Sequence, residues 1–279
     1  MNIPPLNVRA LLHRYGLKPD KRLGQNFLID PAALSRVAGA ADITKEDTVL
    51  EIGPGVGSLT RYLASLARKV IAVELDRDLI APLRQVLKPF KNVEILQGDI
   101  LELDPGVQID EPGYLVVANI PYYITSTVIR HLLEAETRPA RIVLTVQKEV
   151  AERICAGPGD MSLLALSVQV YGRPYILAKI PAGAFYPVPD VDSAILRVDL
   201  FNAPLIPARH LDIFFQLIKA GFAQKRKKLR NSLAAGLALR PEKVEEMLRL
   251  AGIDPKRRAE TLGIGEWYRF LDVYIQSER

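Results

Sequence analysis

The segment LVVANIPYYITS, residues 115–126, places side chains that could do chemistry at the end of an apolar run. Asn119 follows that run, and Pro121, Tyr122 and Tyr123 come directly behind it. An amide oxygen and the carbonyls of a proline-fixed backbone can accept hydrogen bonds from an amine, and an aromatic ring can stack on a planar base. Asn and Pro also end strands in many proteins, so an ordinary strand end is the alternative.

The surrounding sequence alternates between strand-like and helical patterns. Runs typical of buried strands are TVLEIG, KVIAVEL, VEILQGD, YLVVANI and RIVLTVQ, and most are separated by segments with helical spacing, LTRYLASLA, RDLIAPLRQVL and TSTVIRHLLEA. This alternation predicts an α/β fold with a Rossmann-like, mostly parallel sheet. No helix separates YILAKIP from SAILRVDL, so we expect an antiparallel hairpin at the end of the sheet. Periodicity does not assign LLALSVQVYG, which precedes them.

The pattern changes near residues 204–207, because the segments that follow all have helical periodicity. We therefore predict a small all-helical C-terminal domain. The complete prediction is a basic N-terminal arm at residues 1–22, a Rossmann-like domain at 23–205 and a helical domain at 206–279.

Ligands of such sheets bind outside the carboxyl ends of the strands. After the first predicted strand, Gly53 and Gly55 allow a tight turn, whereas Pro54 lacks the amide proton that a phosphate cradle uses, and the third glycine is one place early for a dinucleotide motif. Glu74 ends the second strand and can accept both hydroxyls of a ribose. Asp99 ends the third and can accept from an adenine amine. Either acid alone would be typical of a surface position. Because they stand at the ends of successive strands, together they predict an adenosine site.

An adenosine ligand without phosphates suggests S-adenosylmethionine, whose methyl group would face the fourth strand end. A conjugated amine is a poor nucleophile because its lone pair is delocalised. The amide oxygen of Asn119 and the carbonyl of Ile120 or Pro121 can accept the two amine hydrogens, which favours a pyramidal nitrogen. Tyr122 offers a stacking face for the base. The nitrogen can lose its proton after transfer, so no charged general base is needed.

Charge is distributed unevenly along the chain. Residues 1–22 carry five Lys or Arg against one acid, residues 23–205 carry 17 against 22, and residues 206–279 carry 15 against 9. An acidic body with basic ends predicts a polyanionic partner. The densest run lies in QKRKKLRNSL, where we expect a helix whose cations bind phosphates, and a solvated helix face is the alternative. These cations are Lys225, Arg226, Lys227, Lys228 and Arg230.

The sequence indicates neither metal nor thiol chemistry. Cys155 is the single cysteine and cannot form an internal disulfide, and the three histidines are too scattered for a metal-ligand pattern. The beginning of the chain lacks the apolar block of a secretory signal, and no run of eighteen apolar residues occurs. We therefore expect a cytoplasmic protein with no membrane partner.

Eight motifs together resemble the ribosomal RNA adenine dimethyltransferase family, the kasugamycin-resistance type, along nearly the whole chain. They are LGQNFLID (23–30), EIGPGVGSLT (51–60), VELD (73–76), GDIL (98–101), NIPYYITS (119–126), FYPVPDVDSAILR (185–197), FAQKRKKLRNSL (222–233) and RAETLGIGEWYRF (258–270). NIPYY departs from the commoner NLPYN of the family, which leaves the effect of Tyr123 on the rim of the pocket open.

The resemblance implies roles for individual residues. Tyr122 would stack on the target adenine, Phe185 would close over its other face, and Asn119 and Pro121 complete the expected catalytic set. The expected donor-binding residues are Asn26, Leu28, Gly53, Gly55, Glu74, Asp99 and Asn119. The implied reaction is S-adenosylmethionine-dependent dimethylation of two adjacent adenosines in a hairpin near the 3′ end of small-subunit (16S) ribosomal RNA. The expected enzyme is a monomer that acts on a partly assembled 30S particle, with residues 23–205 as the Rossmann-like methyltransferase domain and residues 206–279 as the helical RNA-binding domain.

Other classes of protein share parts of this pattern. A nicotinamide oxidoreductase would share the sheet and Glu74, but Pro54 and the glycine spacing argue against it. A glutamine methyltransferase acting on protein would use a similar Asn-Pro signature, typically with a second proline and without the basic tail. Two closer alternatives are a large-subunit methyltransferase of the macrolide-resistance type and a catalytically silent nucleic-acid-binding relative. The intact donor-site positions and the tail KRKKLRNSL favour an active small-subunit enzyme.

Overall fold

The computed structural model describes residues 3–109 and 111–277, which form two compact units. The first unit contains the chain up to Ala151 together with Pro174–Leu200. The second unit contains Glu152–Arg173 and the chain from Phe201 onward. The domain limits placed after residues 22 and 205 stay a prediction.

Helices and strands are numbered here in chain order. The described residues form α1 (Val8–Arg14), β1 (Phe27–Leu28), α2 (Pro31–Gly39), β2 (Thr48–Ile52), α3 (Thr60–Leu66), β3 (Lys69–Glu74), α4 (Ile80–Leu87), β4 (Val93–Gln97), α5 (Pro105–Ile109), β5 (Leu115–Asn119), α6 (Thr125–Glu134), β6 (Arg141–Gln147), α7 (Lys148–Ile154), α8 (Leu163–Gln169), β7 (Gly172–Ile180), β8 (Phe185–Tyr186), β9 (Ser193–Leu200), α9 (Leu211–Phe222), α10 (Leu229–Leu237), α11 (Pro241–Leu250) and α12 (Ile264–Ser277).

The main sheet has seven strands in the order β4-β3-β2-β5-β6-β9-β7. Strands β4, β3, β2, β5 and β6 pair in parallel, and β9 runs antiparallel to β6. The predicted mostly parallel sheet is therefore confirmed. The chain adds β3 and β4 on one side of β2 and β5 and β6 on the other, so the strand order reverses between β2 and β5, where such sheets bind ligands.

Apolar strands form the core of the first unit. All five residues of β2 are buried, as are the first four of β5, which explains why these strands read as mainly apolar runs rather than as alternating patterns. A second sheet pairs β1 with β8, with Leu28 opposite Phe185. Helix α2 then begins at an N-cap, Asp30, whose carboxylate accepts a 2.7 Å hydrogen bond from the amide of Ala33. The β1 pairing and this cap together fix the end of the LGQNFLID segment.

The N-terminal arm is a packed part of the first unit. Buried residues of α1, among them Val8 and Leu11, share a hydrophobic cluster with Phe27, Val56 and Leu79. This cluster joins the arm to β1 and to the segments that follow β2 and β3. The role of the arm's cations stays a prediction.

The second unit is helical around a buried tryptophan. Trp267 stacks on Phe222 with ring centroids 6.0 Å apart and meets Phe270 edge-on at 6.4 Å. Helices α9 and α10 approach closely at Gly236, where a Cβ would lie 2.6 Å from that of Ala220. None of the helices in the described residues has the length and apolarity needed to cross a bilayer.

Candidate active site

A cavity opens at the carboxyl ends of β2, β3, β4 and β5, within the first unit. Its walls come from five short segments within residues 23–28, 51–59, 73–79, 98–100 and 119–124, together with Leu34 of α2. Nine of the ten residues predicted for donor binding and catalysis line it, namely Asn26, Leu28, Gly53, Gly55, Glu74, Asp99, Asn119, Pro121 and Tyr122. Phe185 does not. The structure thus brings together residues that are up to 96 positions apart in the sequence, from Asn26 to Tyr122.

The glycine turn after β2 needs its glycines for two reasons. Gly53 and Gly55 have φ values of +67° and +59°, which disfavour any residue with a Cβ. A Cβ on Gly55 would also lie 2.9 Å from Cε1 of Phe27. The turn therefore keeps its backbone close to the cavity.

Glu74 is held by backbone donors on both sides of its carboxylate. Oε2 accepts a 2.8 Å hydrogen bond from the amide of Gly55, and Oε1 accepts one of 2.8 Å from the amide of Asp76. Burial raises the pKa of Glu74, and these two hydrogen bonds oppose that increase. Each oxygen retains a lone pair, so the fixed carboxylate can accept the two neighbouring hydroxyls of a ribose.

Glu51 is a second buried acid in the cavity, and the sequence analysis missed it. Its side chain is 1% exposed, and Oε2 has no hydrogen-bond partner in the described residues. Burial raises the pKa of Glu51 to about 8. Ser58, also in the cavity wall, has a buried hydroxyl without a partner there. Such groups are costly unless a ligand satisfies them, so this end of the cavity fits an ammonium group. A charged residue inside the apolar run TVLEI was the available signal.

The other end of the cavity is apolar and fits a purine. Leu75 and Ile100 line it, and Leu75 is 49% exposed at the end of β3. Asp99 accepts a 2.9 Å hydrogen bond from the amide of Leu101 through Oδ1, which leaves Oδ2 to accept from an amine. A methyl donor built on adenosine and an amino acid thus matches the polar groups present at both ends.

Asn119 is oriented by the segment that carries Asn26. Its Nδ2 donates a 2.9 Å hydrogen bond to the backbone oxygen of Asn26, and Oδ1 has no partner in the described residues. Oδ1 is therefore the atom left to accept from a target amine. The carbonyl of Pro121 accepts from the amide of Ile124 at 3.3 Å, so the carbonyl of Ile120 is the simpler second acceptor.

Gln25 ties the same segment to the end of β3. Its Nε2 donates a 2.6 Å hydrogen bond to Oδ2 of Asp76, two residues after Glu74. The segment 23–28 is therefore anchored at two strand ends. The sequence analysis did not assign a role to Gln25 or Asp76.

Tyr122 lines the cavity, and a hydrogen bond of its hydroxyl holds the ring in place. Its hydroxyl shares a 2.7 Å hydrogen bond with Oγ of Ser193, which is fully buried at the start of β9. Burial raises the pKa of Tyr122, so the ring stays neutral at physiological pH. A neutral, half-buried ring suits the predicted stacking on a base.

Phe185 lies in the hydrophobic core rather than at the cavity. It is 1% exposed and belongs to the same buried cluster as Leu28. In this structure the ring is therefore not accessible to a base. The role of Phe185 stays a prediction.

The basic run differs from the expected helix. Residues 223–228 form a turn between α9 and α10, and Lys228 is the N-cap of α10 with an extended backbone. The helix expected over QKRKKLRNSL therefore begins only at Leu229, after four of the five cations. Lys225, Arg226, Lys227 and Lys228 are exposed in this turn, whereas Arg230 pairs with Glu245 at 2.7 Å.

Among the described residues, no group of three or more His, Cys, Asp or Glu side chains is placed to hold a metal ion.

Comparison with known proteins identifies similar sequences. A family model described as ribosomal RNA adenine dimethylase matches residues 16–276. A relative from Dehalococcoides mccartyi, named ribosomal RNA small subunit methyltransferase A, is 45% identical over 270 residues, which cover 96% of this chain and 93% of the relative. One of the same name from Pelotomaculum thermopropionicum is 43% identical, covering 98% of this chain and 97% of the relative.

Two solved structures share the architecture. The 23S rRNA methyltransferase ErmE has a TM-score of 0.73 at 30% identity, covering 88% of this chain and 98% of that one. A dimethyladenosine transferase from Plasmodium falciparum has a TM-score of 0.78 at 25% identity, covering 90% and 98%. The similarity to both therefore spans most of each chain.

Proposed function

The chain belongs to the ribosomal RNA adenine dimethylase family, and from this membership we propose that it dimethylates adenosines of small-subunit ribosomal RNA. The observation that carries the proposal is the orientation of Asn119. Its amide nitrogen is used by the backbone of Asn26, so its oxygen is left to accept from an amine at the edge of a cavity that fits S-adenosylmethionine.

The choice of small-subunit over large-subunit RNA rests on the degree of similarity. Relatives named for the small subunit are 43% and 45% identical over nearly the whole chain, against 30% for the 23S rRNA methyltransferase. A catalytically silent relative would not need an oriented Asn119 beside an intact Glu74. We therefore place an active small-subunit enzyme ahead of both alternatives.

The side chains divide the reaction between binding and orientation. S-adenosylmethionine, when bound, would supply a sulfonium methyl group that passes to the amine nitrogen as the carbon–sulfur bond breaks, and the sulfur would leave as a neutral thioether. Glu74 and Asp99 bind its adenosine part, and Glu51 offers a carboxylate to its ammonium group. The Oδ1 atom of Asn119 and the carbonyl of Ile120 accept the two hydrogens of the adenine amine, so that the nitrogen lone pair points toward the methyl group. The ring of Tyr122 stacks on the base and so fixes its orientation.

No general base is required for this chemistry. None of the three histidines, which all lie in the described residues, lines the cavity. The amine becomes more acidic once it is alkylated, so its proton can pass to solvent after transfer. A site without a general base can still catalyse the transfer by orienting the amine and excluding water.

The finer features of the proposal concern the substrate and the setting. The target is a pair of adjacent adenosines in a hairpin near the 3′ end of the RNA, within a partly assembled 30S particle. The enzyme works as a monomer in the cytoplasm. The exposed cations of the turn 225–228 and the positive charge of both chain ends support an RNA partner.

Mass spectrometry of ribosomal RNA tests the proposal directly. Small-subunit particles from cells lacking this protein are incubated with the purified protein and S-adenosylmethionine, digested to nucleosides and compared with large-subunit particles treated in the same way. Dimethyladenosine should appear in the small-subunit RNA. Methylation of large-subunit RNA instead, or of neither, would overturn the assignment.

Neutralising the exposed turn should weaken the salt dependence of RNA binding. Removing one phosphate contact lowers the slope of log affinity against log salt by roughly 0.7 to 0.9, so Lys225→Gln with Lys227→Gln should lower it by roughly 1.4 to 1.8. Fluorescence anisotropy with small-subunit RNA at several salt concentrations measures the slope. Lys88→Gln with Lys91→Gln, two exposed lysines of the first unit, is the matched control. Equal slopes for the two double variants would show that the turn is a solvated surface that does not bind phosphates.

Glu51→Gln should reduce the proton release that accompanies donor binding. With a pKa of about 8, roughly nine-tenths of the Glu51 carboxyl groups are protonated at pH 7. An ammonium group favours the ionised carboxylate, so donor binding should release most of one proton at pH 7 and progressively less above pH 8. Calorimetry in buffers of different ionisation enthalpy measures this release. The same release from Glu51→Gln would contradict the assigned contact.

A further inference from the structure

Tyr123 is an exposed aromatic residue at the mouth of the cavity. Its side chain is 63% exposed, although it lines the same cavity as the half-buried Tyr122. The two neighbouring tyrosines therefore occupy different environments. Tyr122 has its hydroxyl bonded to Ser193, whereas the hydroxyl of Tyr123 has no hydrogen bond within the part of the chain that the structure describes.

The ring of Tyr123 lies beside the backbone of Gly24 at the mouth of the cavity. A Cβ on Gly24 would lie 3.1 Å from Cε1 and 3.2 Å from Cδ1 of Tyr123, and 3.2 Å from Cβ of Pro121. One edge of the ring thus rests on Gly24, which has a φ of +62°. The segment 23–28 that supports this ring is itself anchored by Gln25 and Asn26. The Cδ1–Cε1 edge of the ring faces Gly24, so the rest of the exposed ring is free for stacking.

The surroundings of the ring suit a nucleic acid strand. Lys21 is exposed and closes the same turn, because the amide of Gly24 donates a 3.1 Å hydrogen bond to the carbonyl of Lys21. When a target base leaves its stack to enter a pocket, the neighbouring base loses a stacking partner. An aromatic ring just outside the pocket can replace that partner for any base, since every base has a π-face.

We propose that Tyr123 stacks on the base adjacent to the target adenine and so holds the neighbouring nucleotide while the target lies in the cavity. This inference rests on the proposed function and extends it. For a substrate with two adjacent adenosines, the ring would hold one adenine while the other lies in the cavity. The two adenosines would then exchange positions, so that each in turn lies in the cavity while the other stacks on Tyr123.

Methylation kinetics on RNA with an altered neighbour test this inference. Small-subunit particles are reconstituted with RNA that has one target adenine and, beside it, either adenine or an abasic site. With adenine as neighbour, Tyr123→Ala should raise KM about 10-fold and change kcat by less than about twofold, as expected from the loss of one stacked base. With the abasic neighbour, the unmutated enzyme and Tyr123→Ala should have equal KM. An equal rise of KM on both RNAs, or no rise on either, would overturn the inference.

Three variants separate stacking from packing. Tyr123→Phe keeps the ring and should behave as the unmutated enzyme, because the hydroxyl is unpartnered. Tyr123→Leu keeps an apolar contact with Gly24 and should still behave as Tyr123→Ala. Tyr175→Ala removes a tyrosine that is 38% exposed on β7, outside the cavity, and should leave KM unchanged.

Two further readouts distinguish this inference from the proposed function. Affinity for S-adenosylmethionine, measured by calorimetry, should be the same for Tyr123→Ala and the unmutated enzyme, and a weakened affinity would show that the ring supports the donor site instead. Failure of the unmutated enzyme to methylate any small-subunit particle would overturn the proposed function and this inference together. Normal methylation by the unmutated enzyme with an unaffected Tyr123→Ala would overturn this inference alone.

Discussion

Asn119→Ala should lower the turnover number about 100-fold or more while the protein stays folded and still binds S-adenosylmethionine. The substitution removes Oδ1, the acceptor that we assign to the adenine amine, and leaves the turn-forming Pro121 in place. Removing one positioned hydrogen-bonding group from an oxyanion site has an effect of about this size, equivalent to at least about 2.7 kcal/mol of barrier. Single-turnover methylation of small-subunit particles measures it.

The control for Asn119→Ala must account for its second contact. Alanine also releases the backbone of Asn26, which lines the donor cavity. Gln25→Ala breaks the other anchor of the same segment, the hydrogen bond to Asp76, without removing an acceptor from the amine. We therefore expect Gln25→Ala to affect the affinity for the donor more than the turnover number, and Asn119→Ala to do the reverse.

The two methylation steps should differ in their sensitivity to Asn119. A monomethylated amine has one hydrogen left to donate, so one of the two acceptors, Asn119 or Ile120, is no longer needed in the second step. The ratio of monomethyladenosine to dimethyladenosine over time reports this difference. Near-normal rates for both steps in Asn119→Ala, with donor binding intact, would favour an ordinary strand end.

Apolar strands and their polar ends were the parts of the molecule that sequence could predict. The central strands β2 and β5 are buried on both faces, so each reads as a short apolar run, and the topology of the parallel sheet then brings the strands' carboxyl ends to one edge. That is why the sequence alone was enough to place Gly53, Glu74, Asp99 and Asn119 together. The outcome depends on chain topology rather than on any single motif.

Contacts between distant segments could not be predicted in this way. Asn26 reaches the cavity because its backbone pairs with Asn119, 93 residues away, and only the family resemblance pointed to it. Helix α10 begins at Leu229, whose amide donates a 2.7 Å hydrogen bond to the carbonyl of Arg257. Propensity carries no information about such a partner.

One element, α8, was left unassigned because its sequence is an apolar run without alternation. LLALSVQVYG fits a buried strand and a buried helix equally well by periodicity. The structure forms α8 there, and the Oγ of Ser162, its N-cap, accepts a 3.1 Å hydrogen bond from the amide of Ala165. Ser162 precedes the apolar run directly, so an N-cap signal was present in the sequence.

Glu74→Ala should weaken the binding of S-adenosylmethionine roughly 100-fold or more. Hydrogen bonds to a charged group contribute about 1.5 to 3 kcal/mol each, and the variant loses the two that ribose hydroxyls would make. Calorimetric titration of the donor measures the change. Glu94→Ala on the neighbouring strand β4 is the matched control, because its carboxylate is 50% exposed, pairs with Lys69 and lies outside the cavity.

The identity of the ligand decides what an altered affinity in Glu74→Ala means. A carboxylate that accepts both ribose hydroxyls is also found in nicotinamide enzymes, so loss of binding alone does not separate the two classes. Pro54 separates them, because it removes a backbone donor from the turn where a pyrophosphate would bind. NADH should therefore bind neither the unmutated protein nor Glu74→Ala. Tight NADH binding to the unmutated protein would reverse the assignment of the donor, whereas unchanged affinity of Glu74→Ala for S-adenosylmethionine would remove Glu74 from the site.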